Sequence, residues 1–131
     1  MANWLVVVNT ENVDHAGTDA NVFLNLHGKN NNGMEVHTSD IFLDNPAPVD
    51  DFERNRTDSF FVNVPEDMAQ LEWAEIRHDN SGGHPGWKLG WISLFNLATG
   101  GKWHADIHQW LALDEGDHRI ARGFAVQPIV G

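Results

Sequence analysis

Apolar residues in this chain recur mostly with a period of two, in short runs cut by Gly, Pro, Asn and Asp clusters, and no amphipathic helix of twelve residues stands out. Successive side chains of a strand point to opposite faces, so this spacing suits half-buried strands and does not suit helices. The pattern predicts strands over Trp4–Asn9, Asn21–His27, Glu35–Phe42, Ser59–Val64, Glu72–Arg77, Lys88–Asn96, Lys102–Trp110 and Arg119–Gln127. Eight short antiparallel strands make an all-β sandwich of two four-stranded sheets. A length of 131 residues is enough for one domain, 1–131, around a single core. Pro65 followed by Glu66 and Asp67 is also a helix-start pattern, allowing a short helical turn around Pro65–Leu71. Asn30-Asn31-Asn32-Gly33 reads as a hairpin turn.

Composition removes several functions. A net charge of −11 repels a phosphate backbone, so nucleic acid is not expected as a partner. The absence of Cys excludes disulfides, thiolate zinc sites and cysteine nucleophiles, and leaves the compartment undecided. No apolar run is long enough to span a bilayer, and Met1-Ala2-Asn3-Trp4 lacks the basic start of a signal peptide. The expectation is a soluble, monomeric chain working with His, carboxylate, hydroxyl and backbone groups.

Strand parity then sorts the charges. If consecutive strands alternate direction, the first, third, fifth and seventh loops share one end of the sandwich. Those loops carry Asp14 and Asp19; Asp44, Asp50, Asp51 and Glu53; Asp79; and Asp114, Glu115 and Asp117. The opposite end holds Lys29, Glu66, Asp67 and Lys102. Crowding carboxylates on one rim costs on the order of 1 kcal/mol per close pair even in high dielectric, a cost that a bound hard cation removes. A single loop Asp is accounted for by an Asx-turn, whereas clustering on one rim is not. Calcium accepts six to eight oxygens in irregular geometry, which two or three loops can supply. Gly17 lets the backbone present carbonyls closely, and Pro46 and Pro48 stiffen the third loop. Neither an EF-hand pattern nor a Gly-Gly-x-Gly-x-Asp repeat is present.

Four segments in order carry a resemblance over residues 3 to 127. They are Ala16-Gly17-Thr18-Asp19-Ala20-Asn21-Val22-Phe23; Asp51-Phe52-Glu53-Arg54 with Thr57-Asp58-Ser59-Phe60; Ile76-Arg77-His78-Asp79-Asn80-Ser81-Gly82 with Pro85-Gly86-Trp87; and Trp110-Leu111. Together they resemble the PLAT domain, named after polycystin, lipoxygenase and alpha-toxin and also called the lipoxygenase-homology domain. The resemblance implies an eight-stranded β-sandwich that binds calcium in its rim loops and targets lipid membranes or protein partners, among them a fused or associated enzyme. It implies backbone-oxygen ligands at Gly17 and Thr18, a side-chain ligand at Asp19, a carboxylate and an amide at Asp44 and Asn45, and distal ligands at Asp50, Asp51 and Glu53. His15 and Gly86 stand where members have acidic residues, which implies one firm calcium between the first and third loops and a weaker second one, supported by Asp79.

Membrane-binding members present apolar tips on the calcium rim. The corresponding tips here are Asp14 and Gly82, and Trp110 matches a further Trp that either contacts a membrane or partner or closes the sandwich. Trp87 and Trp91 are expected in the core. His104 and His108 are four apart and could form half a zinc site, although a polar strand face explains them more cheaply. His78 is expected to order Asp79, and His78-Asp79 near Ser81 is too contiguous for a triad. Asn55-Arg56-Thr57 is a glycosylation sequon that reads as a turn, and Arg54 and Arg56 are expected to neutralise the acidic rim. The leading expectation is a non-catalytic calcium-binding docking module. Its alternatives are a carbohydrate-binding sandwich using exposed Trp and a calcium-independent protein-interaction domain.

Overall fold

The computed structural model describes residues 2–44 and 51–129 and, among them, contains ten strands and no helix. In chain order these are β1 (Ala2–Thr10), β2 (Val22–Lys29), β3 (Glu35–His37), β4 (Ile41–Leu43), β5 (Arg56–Val64), β6 (Gln70–His78), β7 (Trp87–Asn96), β8 (Lys102–Leu111), β9 (Ala121–Ala125) and β10 (Gln127–Pro128). One antiparallel sheet has the order β10-β8-β7-β1-β5. The other runs β3-β2-β6-β9, with β4 also on β2. The all-β sandwich is the expected one, with five strands in each sheet because two expected strands break.

The third expected strand breaks at Thr38. Its buried hydroxyl accepts the Leu26 N–H at 3.0 Å, while its own N–H donates to the Leu26 carbonyl at 2.9 Å. The side chain thus replaces a ladder partner, and β3 and β4 share one edge of β2. The eighth changes sheets at buried Val126, so that β9 pairs with β6 and β10 with β8. Pro65–Leu71 forms no helix. Met68 is buried with its carbonyl accepting from Asn96 Nδ2 at 3.2 Å, and the Ala69 N–H donates to the Lys29 carbonyl. Backbone groups that a helix turn would pair internally are taken by neighbouring loops.

Alternation fills the core: Trp4, Val6 and Val8 from β1, Val22, Leu24 and Leu26 from β2, and Ala74 and Ile76 from β6 are fully buried. Trp4 stacks on Trp103 with centroids 5.5 Å apart. Trp87 is buried as expected, but Trp91 is not. The register of β7 slips between Leu89 and Trp91 against both neighbours, a bulge that turns Trp91 outward beside His104. A second bulge separates His27 from Gly28, where the backbones approach so closely that a Cβ on Gly28 would run into the Gln70 carbonyl.

The inward face of β6 ends on a polar residue. His78 is 1% exposed; its Nε2–H donates to the Leu111 carbonyl at 2.6 Å and its Nδ1 accepts the Asn80 N–H at 3.0 Å. Both ring nitrogens are satisfied in the neutral form, and burial lowers the imidazole pKa below its ordinary value. His78 therefore ties the two sheets together and orders Asn80, where the sequence suggested Asp79.

Two outcomes follow for stability. Below the ordinary histidine pKa of about 6.5 the unfolded chain binds a proton that folded His78 refuses, so stability falls as pH drops through that value. Urea midpoints taken from pH 7.5 to 5.5 should decline, and His78→Gln should flatten the decline while costing about 1–3 kcal/mol at pH 7.5; an unchanged midpoint and slope would contradict the tie. Gly28→Ala should lower stability by about 3 kcal/mol through forced backbone displacement, read by thermal or denaturant unfolding.

Candidate metal centre

The loops that strand parity assigns to one end of the sandwich meet there. The Thr18 N–H donates to the Phe52 carbonyl at 3.0 Å, joining the first loop to the third. Thr18 Oγ1 donates to the Pro85 carbonyl at 2.6 Å and the Asp19 N–H to the His84 carbonyl at 3.2 Å, joining it to the fifth. A Cβ on Gly86 would touch Ala112, so the seventh loop lies beside the fifth. Lys29, Lys102, Glu72 and Met68 sit at the other end.

A cleft of about 160 Å³ opens between the first and third loops, lined by Thr18, Asp19, Asp44, Asp51 and Phe52. Three expected ligands, Asp19, Asp44 and Asp51, thus line the same cleft. Gly17 lies against the backbone of Phe52, Glu53 and Arg54, close enough that a Cβ would crowd the Phe52 carbonyl at 2.9 Å. The Thr18 side chain is committed to Pro85 and to the Ala20 N–H, so only its backbone oxygen suits the expected role. Glu53 borders Gly17 without lining the cleft. Asn45 and Asp50 lie outside the described residues. Among the described residues no three His, Asp or Glu side chains already stand close enough to hold an ion. The donors on the cleft are nonetheless oxygens from two loops, a set that suits hard cations such as Ca²⁺, Mg²⁺ or Mn²⁺.

Asp79 does other work. Its carboxylate accepts from Ser81 Oγ at 2.5 Å, the Ser81 N–H, Asn21 Nδ2 at 2.9 Å and the Asn21 N–H. The Ser81 and Asn21 hydrogen bonds hold its pKa down to about 2. It clamps the fifth loop to the start of β2 and lines neither cleft.

A larger cleft, about 470 Å³, lies between the first, fifth and seventh loops, among Asp14, His15, His84, Trp110, Leu113 and Asp114. Asp14 is paired with Arg54 at 2.8 Å, the neutralisation expected of that arginine; Arg56 instead pairs with buried Asp58 at 2.9 Å. Trp110 is half-buried under Lys88, whose Nζ sits 5.7 Å from the ring centroid. The tips differ from expectation. Gly82 folds onto Asp19 with φ of 83°, while Val13 and Leu113 are exposed apolar residues of this rim, 39% and 54% accessible, and Phe42, 49% accessible, lines the smaller cleft. The seventh loop's contribution was hidden because no local pattern marks Leu113.

Two residues of the quoted family segments to which the sequence assigned no role, Phe52 and Asp58, support the cleft. Phe52 has a φ of 63°, an uncommon conformation for a bulky residue, and its buried ring stacks on Phe60 at 5.3 Å and meets Trp87 edge-on at 5.0 Å. Its N–H donates to Asp58 Oδ2 at 2.9 Å. Asp58 is 3% exposed, and burial raises its pKa above the ordinary value. The signal was available: Asp58, Phe60, Val62 and Val64 share one strand face.

The remaining candidates dissolve. His104 is held by Ser93 Oγ and Asp106, and His108 by Glu11 Oε1 at 2.9 Å, with His108 itself left-handed (φ of 50°) where the β7–β8 register slips. Ser93, His104 and Asp106 form a hydrogen-bonded line like a hydrolase relay. Ser93 lies on β7, paired by β1 and β8, and His104 and Asp106 lie on β8, so the line runs across the outer face of the sheet. Asn55 sits in a left-handed turn with φ of 56°.

The comparisons with known proteins identify the family and the fold. The PLAT/LH2 domain family model matches residues 4–121. The chain is 36% identical over 121 residues to the human lipoxygenase homology domain-containing protein 1, covering 92% of this chain and 6% of that protein. It is 30% identical over 123 residues to mouse polycystin-1-like protein 3, covering 94% of this chain and 5% of that one. Its fold overlays a coral 8R-lipoxygenase, whose structure is described in terms of calcium activation via a C2-like domain. The TM-score is 0.74 at 20% identity, over 97% of this chain and 17% of the enzyme. The chain therefore spans only a small part of the proteins it matches, and within that part it belongs to the PLAT/LH2 domain family.

Proposed function

We propose that this chain is a non-catalytic calcium-binding module whose rim loops, ordered by the metal, dock onto a lipid surface or a protein partner. The observation that carries the reading is the convergence of Asp19, Asp44 and Asp51 on one cleft between loops far apart in sequence. Calcium supplies positive charge and a shared set of oxygen bonds there. Asp19, Asp44 and Asp51 would hold it, with Thr18 contributing a backbone oxygen; Gly17, Asn45, Asp50 and Glu53 belong to the same set implied by the family resemblance. The coral lipoxygenase, described as calcium-activated through a C2-like domain, supports the choice of ion.

The exposed Val13 and Leu113 on the same rim favour lipid as the docking target, because small apolar tips gain by burial at a headgroup boundary. A chain of net charge −11 is repelled by anionic lipid until the metal offsets its rim. The carbohydrate alternative loses support from the tryptophans. Trp4, Trp87 and Trp103 are buried, Trp91 and Trp110 half-buried, and exposed Trp73 stacks one face on His27 at 3.8 Å, so they form no row of open indoles. No helix among the described residues is long and apolar enough to cross a membrane.

Calorimetric titration of metal-stripped protein with calcium should show saturable binding, and a ligand selective for the native state must also raise Tm. Asp51→Asn should weaken that binding at least tenfold, and Asp67→Asn at the far end should leave it unchanged; equal effects would overturn the assignment of the cleft. Capture on phosphatidylserine-containing vesicles should require calcium and drop severalfold in Leu113→Asp. Capture that survives chelator would separate docking from the metal, and no capture at all would point to a protein target.

A further inference from the structure

We infer that Asp58 is a positioning residue for the cation cleft: by holding Phe52 in its left-handed conformation from inside the core, it sets Asp51 on the cleft wall. The inference rests on the calcium reading above and deepens it. Asp58 occupies an inward position of β5, where an ionised carboxylate is costly to desolvate and where an apolar residue would serve packing better. Both its oxygens are engaged. Oδ1 takes Arg56 Nε at 2.9 Å, and Oδ2 takes the Phe52 N–H at 2.9 Å.

The left-handed backbone at Phe52 costs about 1–2 kcal/mol and persists only where its surroundings impose it. Three contacts do so: Asp58 on its N–H, the Thr18 N–H on its carbonyl at 3.0 Å, and the Phe60 and Trp87 rings around its side chain. The reversal at this residue allows Phe52 to enter the core while its neighbour Asp51 reaches the cleft with Asp19 and Asp44. An extended Phe52 would put successive side chains on opposite faces of a strand path and lose the carbonyl that anchors Thr18, moving both walls of the cleft together. A buried charge and a strained aromatic, each unfavourable alone, are thus spent on the placement of one carboxylate.

The test is calcium titration calorimetry on the parent chain and on Asp58→Ala, Asp58→Asn and Val64→Ala, well below each Tm and with folding checked by circular dichroism. Val64 is buried at the far end of the same strand, so its truncation lowers stability without touching the cleft. The expected result is at least tenfold weaker calcium binding in Asp58→Ala. Asp58→Asn, which keeps an acceptor for the Phe52 N–H, should lose threefold to tenfold, and Val64→Ala should stay within twofold of the parent. Binding by the Asp58 variants within twofold of the parent, or an equal loss in Val64→Ala, overturns the positioning role alone. A parent chain that binds no calcium overturns the calcium reading and this role with it. If Asp58→Ala fails to fold, Asp58→Asn decides by the same criterion.

Discussion

Trp87 is the side chain on which the acidic end of the sandwich rests. Its indole is fully buried, its Nε1–H donates to Thr10 Oγ1 at 2.9 Å, and the Phe52 ring meets it edge-on. The third loop is thereby fastened to β1 and β7 through the core, as well as by the Asn55 N–H on the Glu11 carbonyl and Arg54 on Asp14 at its surface. From Phe52 the order passes outward to Thr18 and Gly17 by backbone contact, and from Thr18 to Pro85 in the fifth loop. His78 closes the same end from the other sheet through the Leu111 carbonyl. Four loops distant in sequence share one anchored floor.

That floor lets the rim hold its charge. The chain's cations settle on particular carboxylates: Arg54 on Asp14, Arg122 on Asp117, Lys88 on Glu11, Arg56 on Asp58 and Arg77 on Asp40. Asp79 is stabilised by Ser81 and Asn21 without any cation. The cations thus sit on acids around the loop 1 to loop 3 cleft, and among the described residues none of these ion pairs falls on the Asp19 and Asp44 that line it.

Much of this was legible beforehand because antiparallel connectivity is a strong constraint. Alternation gave the strands, and strand parity placed Asp19, Asp44 and Asp51 at one end without any knowledge of contacts. Failures occurred where a side chain overrode the local pattern. Thr38 substituted for a ladder partner and split a strand, the bulge at Gly90 reversed the outlook of Trp91, and neighbouring loops took the hydrogen bonds of Pro65–Leu71. Asp79 matched a ligand by type and position, yet its oxygens were already taken by Asn21 and Ser81.

The sequence by itself determined the all-β class, the strand positions and the segregation of acid to one rim, since each follows from period, parity and charge along the chain. The tertiary structure alone decided which acids face one cleft, that Val13 and Leu113 are exposed apolar residues of the same rim, and that a buried Asp58 supports a left-handed Phe52 beneath the cleft. Those outcomes depend on backbone direction at single residues and on hydrogen bonds between loops 30 to 70 positions apart. Such bonds are set by the packing of the whole sandwich and leave no periodic trace in the order of the residues.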